Sequence, residues 1–158
     1  ASHKIPLLWR MHRVHHADRD IDVTTGARFH PLEIMLSLFY KGLVIFIVGP
    51  SIFAVFLFEV ILNASSIFNH ANLKLTAGLD KKLRLIIVTP DMHRVHHSID
   101  SQETNSNFGF FLSIWDKLFR TYKEQPRAGH LKMIVGIKEY QDKHPSNILW
   151  CLKLPFIK

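Results

Sequence analysis

The sequence HRVHH occurs at residues 12–16 and again at residues 93–97, and the two copies hold six of the eleven histidines in the chain. In a helix, positions i, i+3 and i+4 lie on one face, so each copy is expected to present three imidazoles in one direction. Neutral imidazole is the commonest metal ligand in proteins and suits iron, zinc, copper and nickel. The repeat therefore predicts two helices that share a metal centre, with candidate ligands His12, His15, His16, His93, His96 and His97.

The second copy directly follows a strong helix start. Thr89 supplies a hydroxyl N-cap, Pro90 suits the first helical position, and Asp91 places an acid in the first turn. The second set of histidines is therefore predicted to lie in the first two turns of a helix.

Between the two copies lies an apolar block, residues 32–68, whose only charged residues are Glu33, Lys41 and Glu59. One helix over the whole block would be roughly 55 Å long, nearly twice the ~30 Å hydrocarbon core of a bilayer. A Gly-Pro-Ser sequence at residues 49–51 is a natural helix breaker. The block therefore predicts a hairpin of two membrane helices, at about residues 31–48 and 50–68, within a hairpin region of about 31–69.

A hairpin matters for the chemistry because a single span would leave the two histidine copies on opposite sides of the membrane. Basic residues flank the block on both sides and are absent from its tip, so the positive-inside rule places both flanks in the cytoplasm. A buried hairpin of a soluble protein is the alternative. The flanking basic residues are Lys4, Arg10, Arg13, Arg19, Arg28, Lys74, Lys81, Lys82 and Arg84.

Length and charge set outer bounds on the fold and its surroundings. A chain of 158 residues is expected to form a single domain, residues 1–158. The formal net charge of +7 indicates a polyanionic neighbour, and the apolar block favours a membrane surface over nucleic acid. The single cysteine, Cys151, cannot form an internal disulfide, which is typical of a reducing compartment, and its apolar surroundings predict a packed residue. The expected fold class is all-α, a membrane hairpin with a cytosolic histidine-bearing cap.

The motifs and their flanking sequences resemble the fatty acid hydroxylase or sterol desaturase superfamily of membrane di-iron enzymes, in its bacterial branch. That superfamily is marked by an HxxxH-type motif, then HxxHH, a membrane segment and a final HxxHH. Residues 12–16 and 93–97 match the last two motifs. The sequences RFHPLE at residues 28–33, TNSNFG at residues 104–109 and WDKLFRTY at residues 115–122 are similar to the family as well.

The resemblance also implies further site residues. Ser-His-Lys at residues 2–4 matches the end of the family's first motif, whose first histidine would precede Ala1, so the chain is expected to be an N-terminally truncated part of a longer enzyme. His3 and His70 are implied as additional ligands, which makes eight. Asp91 and Asn107 are expected to orient ligand imidazoles, with helix initiation as the alternative role for Asp91.

The three other histidines outside the repeat carry weaker expectations. His30, which precedes Pro31, is expected to support the site or to face the substrate. His130 and His144 are expected to be surface residues.

The activity that the resemblance implies is O2-dependent hydroxylation or desaturation of a lipid such as a sterol or fatty acyl chain, with two iron ions as cofactor and zinc as a substitute. It implies an integral membrane protein with a lipid substrate, and the basic flanks place the histidine clusters on the cytoplasmic face. A separate electron-donor protein is expected because the sequence lacks a flavin or dinucleotide fingerprint. No nucleic-acid partner is expected, because the membrane block accounts better for the basic charge. The alternatives are a membrane zinc hydrolase, against which the absence of glutamate within either HRVHH copy counts, and a non-enzymatic metal-binding membrane protein. Hydroxylation is the default reaction, and the particular lipid is left open.

Overall fold

The computed structural model describes residues 1–142 and 144–157. Over these residues the chain is all-helical, without strands and with two isolated β-bridges, as predicted. Short 3₁₀ segments lie at Thr25–Ala27, Lys138–Tyr140, His144–Ser146 and Leu154–Phe156. The helices are α1 (Pro6–His16), α2 (Pro31–Val48), α3 (Ile52–His70), α4 (Ala77–Leu83), α5 (Pro90–His96), α6 (Ser101–Thr104), α7 (Ile114–Leu118) and α8 (Ile148–Lys153).

Helices α2 and α3 form the predicted hairpin, and both are long and apolar enough to cross a membrane. Gly49 caps the C-terminal end of helix α2, and its φ of 63° lies in the left-handed region. Glycine is favoured at such caps because it adopts this conformation without strain. The Ser51 side chain then caps α3 by accepting a hydrogen bond from the Ala54 amide at 3.2 Å. This cap makes α3 begin at Ile52, two residues later than predicted. No residue of α2 is buried, as expected of a helix that faces lipid.

An ion pair joins the two long helices. Lys41 Nζ lies 2.6 Å from Glu59 Oε1. Each residue stands eight positions from the turn, Lys41 before Gly49 and Glu59 after Ser51, so the pair lies ~12 Å from the tip of the hairpin. Charges at this depth are costly in lipid unless they are paired, and each supplies the partner that the other needs.

The first histidine helix is held from its outer side by the C-terminal segment. Val14 and Ala17 form a buried cluster with Cys151 and Leu154. Arg13, which separates two histidines in sequence, donates to the carbonyls of Leu154 and Ile157. These contacts fix the outer face of α1, so its histidine face points inward, and they confirm that Cys151 is packed.

The end of α3 is the buried part of the hairpin, and it packs against α5 and the 3₁₀ segment Thr25–Ala27. The Ser66 hydroxyl donates to the Gly26 carbonyl at 3.0 Å. A Cβ atom at Gly26 would lie 2.8 Å from Ser66 Oγ and 3.2 Å from His70 Nδ1, so this close approach requires glycine. The hairpin therefore brings the chain back to the first histidine helix before the second one begins.

We predict that Lys41→Leu and Glu59→Leu each destabilise the hairpin and that the double variant regains most of the loss. Each single change leaves one unpaired charge among apolar side chains, which costs roughly 2.5–3.5 kcal/mol on membrane-insertion scales. Thermal unfolding of the four proteins in lipid nanodiscs provides the double-mutant cycle. Strictly additive losses would show that the two charges do not stabilise each other.

Candidate metal centre

The eight histidines expected to be ligands lie together in two groups of four. Within each group, ring nitrogens from all four residues lie within 4.8 Å of one another. We call them the outer group, which is partly exposed, and the inner group, which is fully buried. The outer group is His3, His12, His16 and His96, and the inner group is His15, His70, His93 and His97.

Each HRVHH copy contributes to both groups. Helix α1 gives two imidazoles to the outer group and His15 to the inner group, whereas the second copy gives His96 to the outer group and two to the inner group. The groups touch where the rings of His16 and His97 stack with centroids 4.4 Å apart. The sequence predicted two clusters that share a centre, but it did not predict this division of each triplet.

Hydrogen bonds fix which ring nitrogen of several histidines is free. Nδ1 of His15 lies 3.0 Å from the Thr25 carbonyl oxygen, and Nδ1 of His96 lies 2.8 Å from that of Ser106. His70 makes the same type of contact with Ser66, at 2.7 Å. A carbonyl oxygen only accepts, so each Nδ1 must carry the proton and each Nε2 must present a lone pair. This is the tautomer that a metal site needs.

Two such lone pairs face each other inside the inner group. Nε2 of His70 lies 3.2 Å from Nε2 of His15. The single N–H proton of each ring is on Nδ1, where it is donated to a carbonyl oxygen. Two neutral acceptors at this distance have no proton to share. A cation between them resolves the conflict, which is direct evidence from the chain's own geometry that the group suits a metal.

Burial favours the uncharged form of six of these imidazoles. Burial, reinforced by the neighbouring His96, lowers the pKa of His3 to about 2. Burial also lowers the pKa of His96 to about 3, against the opposing effect of the hydrogen bond that His96 donates to the Ser106 carbonyl. Burial followed by the crowding of other imidazoles lowers the pKa values of four more, namely His15, His16, His93 and His97. Neutral imidazole is the metal-binding form, so the groups are set for ligation at neutral pH.

Distances and unpaired atoms both fit a metal ion. Imidazole nitrogens bind a divalent ion at about 2.0–2.1 Å, so ligands on opposite sides of it lie ~4.2 Å apart. Ring nitrogens spread over 4.8 Å therefore need only small adjustments. Both ring nitrogens of His16 and of His97 are buried and lack a hydrogen-bond partner within the described residues. Buried polar atoms are rarely left this way, and ligation would satisfy one nitrogen of each ring.

Phenylalanine rings pack against imidazoles of both groups. Phe29 stacks on His15 with centroids 4.5 Å apart and an interplanar angle of 10°. Phe108 packs edge-on against His3 and His96, with centroids 5.3 Å and 5.6 Å away. The chain positions Phe108 through Asp116, whose carboxylate accepts from its amide at 2.7 Å. These two rings cover part of the surface of the imidazoles that they contact.

The two residues expected to orient ligands make other contacts. Asp91 pairs with Arg94 at 2.8 Å in the first turn of α5. Asn107 donates from its side-chain amide to the carbonyls of Met92 and Lys123, each at 2.9 Å. The structure brings neither residue into hydrogen-bond contact with a ligand imidazole among the described residues. Asn107 acts one step away, because it fixes the backbone next to Ser106, which bonds His96.

The sequence did not predict the contact between Glu33 and His12. Oε1 of Glu33 accepts from His12 Nδ1 at 2.7 Å, so a carboxylate from the first turn of α2 backs an imidazole of the outer group. No sequence spacing relates residues 12 and 33. The signals were a charged residue at the edge of an otherwise apolar block and its place in the family-like sequence RFHPLE at residues 28–33.

The remaining histidines have structural surroundings. His30 caps α2 by accepting from the Leu32 amide at 3.2 Å, and its Nε2 lies 3.2 Å from the Leu152 carbonyl oxygen. It is a buried residue that caps a helix, and its expected role in supporting the site or facing the substrate stays a prediction. His144 is exposed, as expected, and contacts Asp142. His130 is partly buried and lies 4.0 Å from Asp91, so the expectation of a surface residue was wrong.

A family model described as fatty acid hydroxylase matches residues 1–121. Alkylglycerol monooxygenase of Homo sapiens is 33% identical over 156 residues, which cover 98% of this chain and 32% of that protein. Ornithine lipid hydroxylase OlsE of Rhizobium tropici is 32% identical over 127 residues, 80% of this chain and 37% of that protein. Alkylglycerol monooxygenase of Xenopus tropicalis is 31% identical over 146 residues, 92% of this chain and 30% of that protein.

The chain therefore spans about a third of the length of the curated relatives that it matches. No solved structure matches it significantly.

We predict that the metal-free protein loses stability as the pH falls below about 6.5, the ordinary pKa of histidine. The unfolded chain takes up protons there while the buried imidazoles stay neutral, and the loss continues toward the folded pKa values, about 3 for His96 and about 2 for His3. Each such histidine contributes about 1.4 kcal/mol per pH unit.

Thermal unfolding of chelator-treated protein from about pH 8 to about pH 5 measures this effect over the range in which histidine titrates. The His144→Ala variant is the control and should follow the unmodified protein, because that ring is exposed. An unfolding temperature that is constant over this range would contradict the buried neutral cluster.

Proposed function

This chain belongs to the fatty acid hydroxylase family, and from that premise we propose that it uses O2 and two iron ions to hydroxylate a C–H bond of a membrane lipid. The observation that carries the proposal is the pair of four-imidazole groups at the open end of an apolar hairpin. His70 is the last residue of α3, and Glu33 lies in the first turn of α2. Both groups are thereby attached at the end opposite the Gly49 turn, where lipid headgroups would meet the protein.

The eight histidines are the proposed iron ligands, four for each ion. Iron held by imidazoles, when bound, supplies the activation of O2 and the removal of hydrogen from an unactivated C–H bond. The protein's own part is positioning. Carbonyl oxygens and Glu33 hold the Nδ1 protons so that Nε2 faces inward, while Phe29 and Phe108 limit access of water to the reaction.

Hydroxylation is the reaction that we favour over desaturation. The relatives carry the names monooxygenase and hydroxylase, and those names refer to an alkylglycerol and an ornithine lipid. A lipid substrate also fits the exposed apolar faces of α2 and α3, along which acyl chains would lie. We therefore propose a membrane lipid as the substrate class, without a choice between sterol, fatty acyl and ether lipids.

The electrons are proposed to come from a separate protein. Hydroxylation places one oxygen atom of O2 in the product and reduces the other to water, which consumes two electrons and two protons. The Gly-rich fingerprint of a bound dinucleotide does not occur in the sequence. Basic residues on both flanks of the hairpin support a cytoplasmic position for the histidine groups, where a soluble donor would reach them.

We predict that His96→Ala abolishes lipid hydroxylation, removes iron from the outer group and leaves membrane insertion intact. His96 is an outer-group imidazole on α5, outside the hairpin that inserts. The measurements are iron per chain on protein purified in detergent, O2 consumption and membrane fractionation. His144→Ala, which removes an exposed histidine, is the matched control and should keep all three properties.

Full activity in the His96→Ala protein would refute the proposed centre. Stoichiometric zinc that persists after growth with iron, without O2 consumption, would instead support the zinc hydrolase alternative. No stoichiometric metal in the unmodified protein would contradict both enzyme assignments.

A further inference from the structure

The two histidine groups differ in the atoms that accept hydrogen bonds from the Nδ1 atoms of their imidazoles. In the inner group, Nδ1 of His15 and Nδ1 of His70 donate to the backbone carbonyls of Thr25 and Ser66. In the outer group, His12 donates to the carboxylate of Glu33 at 2.7 Å. A hydrogen bond to a carboxylate is about twice as strong as one to a neutral oxygen, and it raises the basicity of the ligating nitrogen.

Glu33 is not explained by its place in the helix. It occupies the third helical position after the cap His30, where a glutamate ordinarily reaches back to the amide of the cap residue. Here the carboxylate turns to His12 instead, and the His30 ring does the capping by accepting from the Leu32 amide. The side chain of Glu33 is 18% exposed, and its Oε2 is buried without a hydrogen-bond partner in the described part of the chain.

A carboxylate oxygen that is buried without a hydrogen-bond partner is costly unless a positive charge lies nearby. No lysine or arginine is paired with Glu33 in the described residues. Within residues 1–142 and 144–157, no carboxylate bonds directly to an imidazole of the inner group. The inner group's closest acid in the hydrogen-bond network is Asp18, which reaches His15 only through Thr25 and is shared with Arg28 at 3.4 Å. Among the described residues, Glu33 thus gives the outer group a directly bonded carboxylate that the inner group lacks.

The outer group also has greater need of support. His3 and His12 are partly exposed, whereas all four inner imidazoles are buried and held by their neighbours. A partly exposed side chain keeps more rotamer freedom and pays more entropy when it is fixed in one geometry. A charged hydrogen-bond acceptor offsets that cost for His12.

We propose that Glu33 is a positioning residue that acts through His12 to hold metal selectively in the outer group, so that the two metal sites differ in affinity and electronic environment. The inference rests on the metal centre proposed above. Glu33 links the outer group to α2, as His70 links the inner group to α3.

The test compares iron binding in the full-length protein purified in detergent with binding in the variants Glu33→Leu and Glu33→Gln. Iron per chain is measured first, then the release of iron to a chelator of graded concentration, and then the Mössbauer spectrum. Glu33→Leu is expected to lower the affinity of one site about 10–100-fold, the usual range for loss of a ligand's hydrogen-bond partner, while the other site changes less than about twofold. The spectrum should lose one of two iron environments.

Glu33→Gln is expected to fall between, because its amide oxygen still accepts from His12 but carries no charge. Two controls accompany these variants. Glu139→Gln removes an exposed carboxylate and should match the unmodified protein. Glu59→Leu loosens the hairpin through Lys41 without touching His12, so it reports what general destabilisation does to metal binding.

The outcomes separate the inference from the function on which it rests. Two irons retained at unchanged affinity in Glu33→Leu would overturn the role of Glu33 and leave the metal centre standing. Equal loss from both sites, as in a loosened hairpin, would also overturn it, because it would show a role in folding. An unmodified protein without stoichiometric iron would overturn the proposed function itself.

Discussion

The structure depends on one constraint: the lone pairs of several imidazole nitrogens point at one another, with no proton between them to form a hydrogen bond. His15 and His70 show it most directly, since both rings have donated their protons outward and their Nε2 atoms stand 3.2 Å apart. In water such an arrangement would relax through protonation, but burial lowers the pKa values of the surrounding histidines and blocks that route. The rest of the fold holds these rings against their mutual repulsion. Burying these unpaired nitrogens costs free energy, and a bound cation would offset that cost by accepting their lone pairs.

Three pieces of the fold supply that restraint, and each approaches from a different direction. The C-terminal segment holds the outer face of α1 through Leu154 and the carbonyls that Arg13 bonds. The end of α3 packs against α5 and against the 3₁₀ segment Thr25–Ala27, and its close approach to that segment requires glycine at residue 26. Asp116 and Asn107 fix the loop that carries Ser106 and Phe108. None of these residues contains a metal-binding atom in either group, yet each sets the position of one that does.

Much of the fold could be predicted from the sequence because its signals are local. Thr89 and Pro90 start α5, Gly49 ends α2, and the length of the apolar block requires a turn. The division of each HRVHH triplet between two groups could not be predicted, because it depends on how α1 and α5 are rotated about each other. The contact of Glu33 with His12 was missed for the same reason. His30 looked like a site residue by its type, and only the backbone around Leu32 showed that it caps a helix.

The interleaving of the two HRVHH copies has a consequence for biogenesis. Because each group takes imidazoles from both copies, neither group is complete until residues on both sides of the hairpin have met. The first copy is synthesised before α2 and α3, so it stays without its partner imidazoles until the hairpin and the second copy have followed. A metal ion bound to either group would therefore join segments about 80 residues apart in the chain. The connectivity of the chain thus makes formation of the hairpin a precondition for a complete metal site.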